Sequence, residues 1–242
     1  MASSTPSVPL CSGAPVSGTT PTVSPEETNF LRFVNLVLRR ARKALRIHFD
    51  TVHLPSNLAT DLATQRPMLS SLKARQVINK VQWDKLFGVP NPMSKDFDVT
   101  LLICLLRNMS PCTPAPAGGF DILPTPLDIS IGADLARIKF YRNKMAHSSD
   151  ARMNANEFNT SWTDVEEAIG RLGGSALLNE TKALRFSPMD ESEKELLLEL
   201  LLEIKHLKIE QLETIPPNVR GDLCIRMKKK MLKYFSSYKS NS

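Results

Sequence analysis

The chain has 242 residues, 42% hydrophobic and 23% charged, an ordinary balance for a globular protein, so a real core is expected. Its four cysteines (Cys11, Cys104, Cys112, Cys224) are scattered and never at C-x-x-C spacing, which argues for reduced thiols and against a disulfide framework or a zinc site. The first 25 residues lack the apolar run of a signal peptide, and no run approaches the ~20 residues of a bilayer span, so a soluble, cytoplasmic protein without stable membrane insertion is expected.

Residues 1–24 are rich in Ser, Thr, Pro and Gly and carry no charge, the composition of a disordered tail. Ser24-Pro25-Glu26-Glu27 then predicts a helix start: a Ser cap, a Pro in the first turn and a Glu three residues after the cap. Phe30, Phe33, Val34, Val37, Ala41 and Leu45 continue it as an amphipathic helix to about Arg46 or Phe49, with basic residues over the other face. Such a basic face suits a phosphate backbone, although it is more often simply solvated.

A second helix is predicted from about Leu69 to Phe87, its periodicity marked by Leu72, Gln76/Val77, Lys80/Val81 and Leu86, stopped by Gly88-Val89-Pro90, with Trp83 in the core. Ser94 is expected to cap a third, favoured by Asp96 and Asp98 near its positive end. Its run Val99–Leu106 is apolar all round, as in a helix buried inside a bundle. Residues 109–127 hold five prolines and a Gly-Gly; a loop this long either lies over a site or merely connects two helices.

The next helix starts near Ile131. Leu135, Ile138, Tyr141 and Met145 make its core stripe, leaving Asp134, Arg137, Arg142 and Lys144 more exposed, and Ser148-Ser149-Asp150 ends it. Asn156 or Asn159 is expected to cap a further helix through Phe158, Trp162, Val165 and Ile169, terminated by Gly173-Gly174. An acidic, Leu-rich helix over Asp190–Glu213, a break at Pro216-Pro217 and a basic helix over about Val219–Phe235 complete the chain. No stretch alternates with period two and no repeat is visible, so the fold class is all-α, an up-and-down bundle with helical extensions.

The candidate chemistry lies at the end of the Ile131 helix, in Arg142-Asn143-Lys144-Met145-Ala146-His147. A guanidinium holds phosphate oxygens in a fork and an imidazole moves protons near neutral pH, so the pair can handle a phosphodiester without a metal. The spacing alone has no power. Arg42/His48 and Arg46/His53 also fall at R-x(4 to 6)-H spacing, and both read as decoys where a basic helix runs into a loop. In an ideal helix the five-residue step turns Arg142 and His147 ~140° apart, which predicts that His147 lies past the helix end. The bland alternative makes His147 a helix C-cap and Arg142 the partner of Asp134 or Glu157.

Several blocks resemble one family in order: Gln82-Trp83-Asp84-Lys85-Leu86-Phe87, Asp96 through Asn108, Ala133 through Asn143 leading to Ala146-His147, and Phe158-Asn159-Thr160-Ser161-Trp162 with Glu166, Ala168 and Ile169. Together they resemble the HEPN domain of the DAZ-interacting zinc-finger RNA-binding ubiquitin ligase group. The resemblance runs from about Asn29 to Gly174; with the composition of the flanking segments it divides the chain into a disordered tail (1–24), an HEPN-like domain (25–174), an acidic helical extension (175–215) and a basic C-terminal helix or tail (216–242). It implies a homodimer with two R-x4-H motifs facing each other and a metal-independent endoribonuclease. In that activity His147 transfers protons, Arg142 clamps phosphate, Asn143 orients the substrate or the facing motif, and 2′,3′-cyclic phosphate ends are left.

RNA is then the expected ligand, and no cofactor is expected because ATP-, nucleotide- and metal-binding motifs are absent. The competing expectation is a non-catalytic dimerisation or adaptor module in innate-immune-type signalling or ubiquitin-ligase assemblies, with protein partners taken through the C-terminal helices. A third is contact of the basic Met227–Phe235 segment with anionic membrane.

Overall fold

The computed structural model describes residues 24–148, 151–188 and 190, and every described element is helical. The expected N-terminal tail and the acidic and basic C-terminal helices fall outside the described residues, apart from Ser24 and Asp190.

The central pillar is the first helical stretch. Ser24 accepts the Glu27 N–H at 3.2 Å while Glu27 accepts the Ser24 N–H at 3.0 Å, a closed capping box with Pro25 in the first turn. The chain then stays helical from α1 (Pro25–Asn35) through a π-helical segment (Leu36–Ala41) into α2 (Arg42–Val52). Phe33, Val34, Leu36, Val37, Ala41, Ala44, Leu45 and Phe49 are wholly buried. Each large apolar side chain so placed stabilises the fold by roughly 1.5–3 kcal/mol.

The basic face of this pillar is not an open stripe. Arg32 donates to the Ser187 carbonyl, Arg42 to those of Phe97 and Lys95, and Arg40 and Lys43 both reach Glu180. The cations are largely engaged in holding other elements against the pillar.

The helix expected over Leu69–Phe87 is two helices, and a third precedes them: α3 (Leu58–Thr64), α4 (Arg66–Ala74) and α5 (Lys80–Phe87). Gln76 adopts φ +59°, which no α-helix accommodates, and Asn79 starts α5 afresh by exchanging capping hydrogen bonds with Gln82. Val77 and Val81, counted toward a core stripe, are exposed. Trp83 is only half-buried, at the rim of the core. Ser94–Asp96 forms a short 3-10 turn, and Asp98, not Ser94, caps α6 (Val99–Asn108) by accepting the Leu101 N–H at 2.9 Å. The apolar run of α6 is buried as expected.

Helix α7 (Ile131–His147) packs on α8 (Ala155–Leu184). Asn154 is the cap of α8, in place of Asn156 or Asn159, and accepts the Glu157 N–H at 2.9 Å. The Gly173-Gly174 stop survives as a kink: Gly174 sits at φ +83°, ψ 175°, and the chain resumes helical turns beyond it.

The core stripe of α7 is as expected, but Asp134 and Arg137 are buried with it. Asp134 pairs with Arg137 at 3.0 Å and with Arg171 of α8 at 2.7 Å. Arg137 also donates to the carbonyls of Thr125 and Asp128, each at 2.6 Å. A buried carboxylate needs such partners, and two arginines supply them. The proline-rich loop is thereby strapped along α7, and Gly132 lets it come close: a Cβ there would meet the Pro114 carbonyl oxygen at 2.1 Å.

Candidate functional site at the end of α7

The C-terminal turns of α7 form one wall of an open groove of about 460 Å³ lined by Lys139, Phe140, Asn143, Lys144 and His147, with Phe120 and Asp121 of the proline-rich loop opposite. Lys139, Asn143 and His147 follow each other at steps of four, and Phe140 and Lys144 do the same, so all five fall on one helix face. The loop is held by Lys139, which donates to Asp121, and by the Arg107 guanidinium stacked 4.3 Å from the Phe120 ring centroid. It therefore lies over the candidate site as well as connecting two helices.

The three site residues expected from sequence are only partly assembled. His147 is exposed and is the last residue of α7, so it does not lie past the helix end; the predicted exit comes one residue later, where the Ser148 N–H bonds the Met145 carbonyl at 3.2 Å. Because both residues stay helical, Arg142 keeps its angular separation and is absent from the groove. Asn143 joins them: it lines the groove with His147, and its Oδ1 accepts from Arg142 Nη1 at 3.2 Å.

Arg142 is half-buried. Burial lowers its pKa, opposed by the negative charge of Asp98 at the start of α6, and a guanidinium remains charged through such a shift. Neither carboxylate suggested for it is its partner: Asp134 belongs to Arg137 and Arg171, and Glu157 pairs with Lys144 at 2.9 Å. The decoy histidines differ in setting. His53 is buried against the Phe49 ring, its Nδ1 3.6 Å from Asp61, and His48 is half-buried with its pKa lowered by desolvation.

Lys139, Lys144 and Phe140 were not singled out from the sequence. Counting back from His147 in steps of three and four would have found Lys144 and Phe140, and Lys139 lies eight back; Asp121 and Phe120 come from a loop whose path no periodicity reports. Among the described residues, no three His, Cys, Asp or Glu side chains gather into a metal site, and no helix is long and apolar enough to cross a membrane.

Every described element is helical, in keeping with an HEPN-type domain. The chain belongs to the DZIP3/hRUL138-like HEPN family, which matches residues 55–197. It is similar to the human E3 ubiquitin-protein ligase DZIP3, 29% identical over 153 residues, and equally to the mouse protein of that name. The alignment covers 60% of this chain and 12% of each ligase, so the chain spans a small fraction of those relatives' length. No solved structure matches it.

Proposed function

We propose that the chain is an RNA-binding HEPN protein that acts as a homodimeric, metal-independent endoribonuclease. The observation that carries this reading is the shared groove of Asn143 and His147, flanked by Lys139 and Lys144, with Arg142 hydrogen-bonded to Asn143 at its shoulder. The exposed His147 imidazole takes the proton of an RNA 2′-hydroxyl. The 2′-oxygen attacks phosphorus, the bond to the 5′-oxygen breaks, and a second imidazole protonates the leaving oxygen. One protomer supplies a single histidine in this groove, so the second comes from the facing protomer, as does an arginine able to approach the phosphate. The products are a 2′,3′-cyclic phosphate and a 5′-hydroxyl.

The competing reading is a non-catalytic dimerisation or adaptor module of a ubiquitin-ligase assembly. It is favoured by the separation of Arg142 from His147's groove and by relatives named as ubiquitin ligases. Incubation of wild type and His147→Ala with end-labelled single-stranded RNA in EDTA separates the two. Cyclic-phosphate fragments from wild type only, with a dimer in sedimentation, support the nuclease. No cleavage by either folded, dimeric protein leaves the adaptor.

A further inference from the structure

The segment from α4 through α5, none of whose residues lines the groove, carries cations that make no ion pair among the described residues. Between residues 66 and 85 there are five basic side chains, Arg66, Lys73, Arg75, Lys80 and Lys85, against one acid, Asp84. Among the described residues, none of the five makes an ion pair. Several cations elsewhere are paired: Arg40 and Lys43 share Glu180, Lys139 meets Asp121, and Lys144 meets Glu157.

The same segment holds two aromatic rings. Trp83 and Phe87, one turn apart on α5, have ring centroids 4.4 Å apart and are both half-buried. Lys73 Nζ lies 4.4 Å from the Trp83 ring centroid and Arg66 Cζ 4.9 Å from that of Phe87. A cation over an aromatic face in water is held weakly, and a lysine on its flexible stem moves aside readily.

We propose that this face is a second contact surface for single-stranded RNA, with Trp83 and Phe87 as a base-stacking platform and Lys73, Arg66 and their basic neighbours binding the backbone. A nucleobase displaces Lys73 from the Trp83 ring, and the freed ammonium pairs with a phosphate. Rings stack with any base and cations read only charge, so the surface is sequence-tolerant. An acidic peptide would satisfy the cations but has no need of the paired rings. A membrane would need more protruding apolar surface than Val77 and Val81 offer beside an eight-residue helix. The inference shares its ligand class with the proposed nuclease but not its site.

The chain has two tryptophans, Trp83 and Trp162, and Trp162 has no exposure, so quenching of tryptophan fluorescence by a bound base reports on Trp83. The test titrates oligouridylate into the full chain, as wild type, Trp83→Phe and Arg66→Gln/Lys73→Gln, at several salt concentrations. Wild type should quench. Trp83→Phe should lose the quench, and the double variant should bind about tenfold more weakly with a salt slope shallower by about 1.4.

Absence of quenching by RNA overturns the proposal. So does quenching by phosphatidylserine vesicles or by a peptide of residues 190–213 without any by RNA, or an unchanged salt slope in the double variant. Quenching with no cleavage in EDTA would leave this surface standing while the nuclease reading fell.

Discussion

Arg171 of α8 grips both carboxylate oxygens of Asp134 on α7, Nε to Oδ2 at 2.8 Å and Nη2 to Oδ1 at 2.7 Å, and Asp134 has no solvent exposure. The same carboxylate holds Arg137, which holds the proline-rich loop. Two helices and a loop thus converge on one buried charge. Removing it as Asp134→Ala leaves two guanidinium groups facing each other without compensation. The expected loss is about 3–5 kcal/mol, read as a lowered urea midpoint with an unchanged slope. A loss below about 1 kcal/mol would show that the triad is not a structural lock.

Tyr141, buried one residue before Arg142, donates its hydroxyl to Asp164 of α8. Burial first, then the hydrogen bond and charge of Asp164, push its phenol pKa up. Below pH ~10 folded and unfolded chains both keep the phenol proton; above it the unfolded chain releases its proton first. The contribution is therefore complete below the ordinary phenol value and is lost as pH climbs toward the raised folded one. Tyr141→Phe should cost about 1 kcal/mol at neutral pH and flatten the alkaline fall in stability. Equal alkaline slopes for the two proteins would contradict the assignment.

Burial lifts the Cys104 thiol to about 11, while Cys112 is exposed on the proline-rich loop. Thiolate is the reactive species, so iodoacetamide at pH 8 should alkylate Cys112 in the native protein and reach Cys104 only after unfolding. Peptide mapping of the alkylated chain reads this directly. Equal labelling at both sites would mean that α6 is not packed as described.

Gly132 and Gly174 should respond to alanine for different reasons. At Gly132 the new Cβ would overlap the Pro114 carbonyl, so the loop must lift; at Gly174 nothing lies within 4 Å, and the penalty is backbone strain at φ +83°. Each should cost about 1–3 kcal/mol. Only Gly132→Ala should also raise proteolytic cleavage within residues 109–130. If both variants were cut there alike, loop displacement would not be specific to Gly132.

What could be read in advance followed the physics of local patterning. The Ser24 capping box, the all-apolar run of α6 and the Leu135–Met145 stripe are signals a helix carries in its own sequence, and they appear where expected. The misreadings share a cause. Val77 and Val81 fit a helical period, yet the positive φ at Gln76 divides the helix and leaves both outside. The charge of Asp134 and Arg137 predicts exposure, but Asp134 has its partner 37 residues away on α8 and Arg137 bonds a loop. At the candidate site the sequence predicts that His147 leaves the helix; instead the helix runs on through His147, and Asn143 is the residue that lines the groove with His147 while bonding Arg142.

The π-helical segment at Leu36–Ala41 has an implication for how this helix tolerates change in length. A π turn within an α-helix accommodates one residue more than the straight helix needs, without altering the register on either side. Deleting a single residue there would let the turn relax to ordinary α geometry, and Phe33 and Phe49 would keep facing the core they now share. A deletion anywhere else between Pro25 and Val52 would swing one half of the pillar by about 100°. Among natural variants of this domain, single-residue gaps in the first helix should therefore gather between positions 36 and 41.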